Sequence, residues 1–91
     1  MRIEVIEQID KHNREVWDFN AFEMTLVMVG KRIEEKLPRK RNWKVTAKFD
    51  RYNKRDSSLP EPDKIPNWVK IEAAEKMKSF IKVMTWDEWK R

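Results

Sequence analysis

The stretch NAFEMTLVMVGKRIEEKL, residues 20–37, decides how the chain is read. Phe22, Leu26, Val29, Ile33 and Leu37 recur at helical spacing. Asn20 stands where an N-cap belongs, and Glu23 follows at the position of a capping box. Phe19 before the cap and Met24 after it suit a hydrophobic staple. Lys31, Arg32 and Lys36 load the C-terminal end, where cations favour the helix dipole, and Pro38 stops the run. The spacing therefore predicts a helix over 21–37. Gly30 inside such a helix costs about 1 kcal/mol relative to Ala. Its presence points to close packing there, against a strand or an aromatic ring.

Toward the N-terminus, Ile3, Val5 and Ile9 alternate with Arg2, Glu4 and Gln8, as in a half-buried strand. Asp10-Lys11-His12-Asn13 reads as a turn, because Asp suits its first position and Asn tolerates the left-handed conformation. Glu15 to Phe19 is then the return strand. A single helix with Ile6, Ile9, Asn13, Val16 and Trp17 on one face competes. The turn residues and the Trp/Phe/Val content favour the hairpin.

Toward the C-terminus, residues 43–51 predict a strand. Trp43, Val45, Ala47 and Phe49 point to the core and face the helix. Lys44, Thr46, Lys48 and Asp50 form the exposed side, which Tyr52 continues. Residues 53–66 hold three of the four prolines and no periodicity, so they form a long loop of functional or mobile character. A second helix starts near Asn67, with Val69, Ala73, Met77, Phe80, Ile81 and Met84 as its apolar stripe. Thr85 and Glu88 form another capping box, which restarts a short helical turn; Ile81–Met84 as a short strand is the alternative. The fold class expected is α+β. A small antiparallel sheet, made of the N-terminal hairpin plus the central strand, carries two main helices on one face, in a single domain over residues 1–91.

Composition limits the function. Ninety-one residues, 40% hydrophobic and 41% charged, suit one small domain with a charged skin. The chain has no Cys, one His and one Gly. Thiolate metal sites, a His-rich zinc site and glycine-rich phosphate loops are therefore excluded. No apolar run approaches a membrane span and no signal-peptide core follows Met1, so a cytoplasmic location is expected. His12 reads as an exposed turn residue. A Ser57 or Ser58 with His12 and an Asp is a composition that any protein offers, with nothing to place the Ser on a nucleophile elbow. Asp63 with Glu88 and Lys90 mimics a nuclease metal site, but Glu88 and Lys90 follow a helix cap rather than alternating on a strand. No enzyme, cofactor, metal or small-molecule substrate is expected.

Charge is the stronger signal. Residues 31–55 hold eleven Lys/Arg and three acids, net +8, while the remainder is −3. A local basic field steers anionic partners. The expected site is Arg39, Lys40, Arg41, Lys44, Lys48, Arg51, Lys54 and Arg55, with Tyr52 as an aromatic for stacking. Strand parity turns Lys44 and Lys48 outward together. The leading expectation is a non-enzymatic module that binds nucleic acid, DNA or RNA, through phosphate contacts. The alternative is a protein-binding inhibitor or adaptor, of the phage or mobile-element kind. It would dock an acidic protein with the same patch and with Trp/Tyr hot spots drawn from the five tryptophans.

Overall fold

The computed structural model describes residues 1–22, 25–53, 55 and 57–78. Four strands, β1 (Arg2–Gln8), β2 (Asn13–Phe22), β3 (Thr25–Lys36) and β4 (Trp43–Asp50), form one antiparallel sheet in the order β1-β2-β3-β4. One helix follows, α1 (Asn67–Lys78), packed on β1 and β2. The expected α+β architecture with two main helices is overturned: residues 20–37 are not helical, and α1 is the one helix among the described residues. Asn20 is accordingly a strand residue and not an N-cap. The residues proposed to extend or restart the second helix, from Phe80 onward and including Thr85, Trp86, Glu88 and Trp89, lie outside the described residues.

The N-terminal hairpin is as expected. Ile3 pairs with Phe19 and Val5 with Trp17, so the apolar alternation of both strands meets on one side. Asp10 closes the turn: one carboxylate oxygen accepts from the backbone N–H of His12 at 2.7 Å, and both accept from the Asn13 amide at 3.0 Å. The N–H of His12 holds the Asp10 carboxyl below the usual carboxylate range, with the Asn13 side chain as the next cause. Helix α1 also starts where expected. Val69, Ala73 and Met77, at helical spacing, close the core against Ile3, Val5, Trp17, Phe19 and Ala21. Trp68 meets Trp17 edge-on, with ring centroids 5.6 Å apart.

The helix misreading of residues 20–37 has a structural cause. β3 lies between β2 and β4, and most of its residues are half-buried whichever side they face, so a clean alternation is not imposed. A bulge then changes its parity. Asp18 pairs with Gly30 but Phe19 pairs with Met28, leaving Val29 as the extra residue. The residues of β3 on the α1 side are therefore Leu26 and Met28 before the bulge, and Lys31 and Ile33 after it. The step from Leu26 to Ile33 equals two helical turns. The strand residues Thr25, Val27, Val29 and Ile33 are β-branched, which favours extended backbone once partners are present.

Gly30 is a packing requirement. A Cβ built there would lie 2.9 Å from the backbone carbonyl oxygen of Phe49 on β4. The expectation of close packing against a strand holds, although the surrounding element is not a helix. Gly30→Ala is expected to destabilise by about 1–3 kcal/mol, since backbone must move to admit the methyl group. A urea-unfolding midpoint that falls at constant m checks this. In a helix the same change would stabilise by about 1 kcal/mol, so the sign of the result separates the two structures.

Candidate nucleic-acid interface

β4 and the two loops that flank it carry every described residue of the expected site. At its start, the β3–β4 turn projects Arg39, Lys40 and Arg41, all exposed. The N–H of Lys40 donates to the Leu37 carbonyl at 3.1 Å, and Arg39 sits at φ 66°. That left-handed conformation costs a non-glycine residue roughly 1 kcal/mol or more. The turn thus holds a strained arginine as the first residue of a cationic triplet.

At the other end, Asp50 organises the exit loop. Its carboxylate accepts from the backbone N–H groups of Tyr52 at 2.9 Å and Asn53 at 3.1 Å. Its own N–H donates to Ser57 Oγ at 2.9 Å. Ser58 and Leu59 then donate backbone N–H groups to the Lys48 carbonyl, pinning the returning chain along the outer edge of β4. Arg51, Tyr52 and Arg55 are exposed on this loop. Lys54 lies outside the described residues.

Between the two ends, a second bulge alters the expected geometry. Ile33 pairs with Ala47 but Glu34 pairs with Val45, leaving Thr46 as the extra residue, its hydroxyl on the Ile33 carbonyl at 3.3 Å. Parity therefore switches within β4. Ala47 and Phe49 face the α1 side, as expected, but Trp43 and Val45 face the far side. The expectation that all four face a helix is corrected accordingly. Trp43 lies under the guanidinium of Arg14, 4.1 Å from ring centroid to Cζ, and Val45 is exposed. Lys44 and Lys48, expected on one face, lie on opposite sides of the sheet, both exposed at its edge. The eight residues of β4 extend about 25 Å at roughly 3.3 Å per residue, so the cations form a stripe along an edge rather than one compact patch.

The stripe is free of ion pairs among the described residues, whereas the sheet interior is compensated. On the far side, Arg32 donates through Nη1 to Asp18, through Nη2 to Glu4 and through Nε to Glu34, the last at 3.1 Å. Arg14 Nε donates to Glu34 at 2.6 Å. This network joins three strands, and the Asp18 and Glu34 side chains are almost fully buried. Burial pulls the Glu34 carboxyl upward, but the hydrogen bonds from Arg14 and then Arg32 outweigh it and hold the group below its ordinary 4.5. Burial likewise opposes the charge on Arg32, and the hydrogen bonds it donates to Asp18, Glu4 and Glu34 outweigh it, raising its pKa. Sequence reasoning gave Arg32 a helix-dipole role and a place in the basic run; its partners Glu4 on β1 and Asp18 on β2 appear only when the register is known.

Among the described residues the Ser–His composition does not assemble. Ser57 and Ser58 bond to the C-terminal end of β4, and His12 sits in the turn at the opposite end of the sheet. Among the described residues there is no cluster of His, Cys, Asp or Glu able to hold a metal ion, and no helix long and apolar enough to cross a membrane. Glu88 and Lys90 of the nuclease-like pattern lie outside the described residues. Comparison of the chain with protein families, curated proteins and solved structures finds no match.

Proposed function

We propose that this protein binds nucleic acid along the β4 edge, through phosphate contacts from the cations of β4 and its flanking loops. The observation that carries the reading is the segregation of charge. Arg39, Lys40, Arg41, Lys44, Lys48, Arg51 and Arg55 are all exposed and, among the described residues, outside any ion pair, while Glu4, Glu15, Asp18 and Glu34 are paired within the sheet. Uncompensated cations in a row release counterions when they meet a polyanion. A length of about 25 Å suits a run of phosphates better than a single anion.

A protein partner is the second reading, favoured by one feature. Among the described residues, the segment Ser57–Leu59 covers β4 only around Lys48–Asp50, which leaves the outer edge from Trp43 to Ala47 for an added acidic strand. The bulge at Thr46 and the edge lysines weigh against that, because both interrupt edge pairing.

The test is oligonucleotide binding across a salt series. With about four to six duplex phosphates neutralised, log K falls with log salt at a slope of about −4 to −5. Replacing Arg39, Lys40 and Arg41 together by Ala is expected to flatten that slope by up to about 3 and to weaken binding alike for every sequence. Their exposure means the unfolding midpoint should hardly move. No binding to single- or double-stranded oligonucleotides at about 50 mM salt overturns the reading, and the same patch is then tested against acidic proteins.

A further inference from the structure

We infer that Phe22 and Tyr52 form a stacking site for unpaired bases, so that the nucleic acid bound is single-stranded. This deepens the proposed function and rests on it. The two rings are the most exposed large hydrophobic side chains of the described residues, at 71% and 74%. They line one cleft of about 350 Å³ together with Asn20, Thr25 and Val27. Phe22 is the last residue of β2, and by strand parity it shares the far side of the sheet with Asp18 and Asn20. The backbone N–H of Tyr52 donates to the Asp50 carboxylate at 2.9 Å, and Tyr52 lines the cleft on that side.

Among the described residues neither exposed ring packs into the core, which lies across the sheet under α1, and a flat π-surface in water is what a nucleobase requires. A phosphate partner is adjacent. Tyr52 also lines the neighbouring cleft, where the exposed Lys48 stands and Arg2 is paired to Asp18 at 3.6 Å. A base on the rings therefore places its backbone toward the cationic stripe. Within a duplex the base faces are covered by their neighbours, so only an unstacked strand offers them. The Asn20 amide on the same cleft supplies polar groups for a base edge.

The experiment uses the full chain and a fluorescently labelled oligonucleotide of about 12 nucleotides, within the usual site sizes, as a single strand and as a duplex. Anisotropy at one salt concentration is expected to show the single strand bound at least about tenfold tighter. Phe22→Ala with Tyr52→Ala should weaken single-strand binding by about five- to 150-fold, with the salt slope, which reports phosphate contacts, unchanged. Phe22→Tyr with Tyr52→Phe should retain binding. A 2-aminopurine probe should lose emission on binding the wild type and not on binding the double-alanine variant. Equal or tighter binding of the duplex, or full single-strand affinity in the double-alanine variant, overturns this inference while leaving the phosphate-binding reading standing. Absence of binding to either strand form overturns both.

Discussion

Arg32→Ala is expected to lower stability by about 3 kcal/mol, the lower end of the range for breaking a buried ion pair, because the guanidinium retains some solvent. The loss does not come from an attraction alone. Removing the fork leaves Asp18 and Glu34, both almost fully buried, with one fewer donor each, and strips Glu4 of its partner. An unsatisfied buried carboxylate keeps its full desolvation cost. The measurement is urea unfolding of wild type and variant at several pH values. The sign follows from Glu34, whose folded-state pKa is depressed. Its contribution is fully present above the unfolded value near 4.5 and is lost as pH falls through the lower folded value. The gap between wild type and variant should therefore be widest near neutral pH and narrow in acid, where a protonated Glu34 no longer needs the arginine. A gap that is constant with pH would mean that Arg32 acts through packing of its alkyl chain instead. A domain of this size has roughly 5–10 kcal/mol in total, so the variant should remain folded but visibly weakened.

The network also marks where sequence reasoning stops. The first hairpin was legible because Ile3 and Val5 alternate without interruption and Asp10 carries its turn signal locally. Helix α1 was legible because Val69, Ala73 and Met77 keep one period. β3 was not, since its two sides are both half-covered and a bulge at Val29 converts a period of two into an apparent helical repeat. The cations of the interface were visible as a charge run, but their sides were not: one extra residue at Thr46 separates Lys44 from Lys48 and moves Trp43 away from the α1 core. Phe22 was read as core for the same reason that β3 was read as helix. Its place beside Tyr52 depends on the end of β2 and the exit of β4 lying together, a long-range fact that no local spacing encodes.

Phe19 and Phe22 therefore make the sharpest paired test of the fold. Phe19 is fully buried on the α1 side, in the cluster with Ile3, Val5, Val69 and Met77, and is among the largest fully buried side chains. Phe19→Ala is expected to cost about 3–5 kcal/mol, combining lost transfer energy with the cavity left between sheet and helix. Against a total of roughly 5–10 kcal/mol, that leaves a variant with little or no stable fold at 37 °C. Phe22, with its ring in solvent, is expected to change stability by no more than about 0.5 kcal/mol on the same substitution. A helix over 21–37 would give the reverse ranking, with Phe22 on the buried stripe and Phe19 only a staple before the cap. Urea unfolding of the two single variants, read as midpoint at unchanged m, decides between them. The bulged sheet stands if Phe19→Ala is the damaging change and Phe22→Ala is silent; equal losses at both positions would mean that the far side of β2 is covered, which would also remove the stacking site.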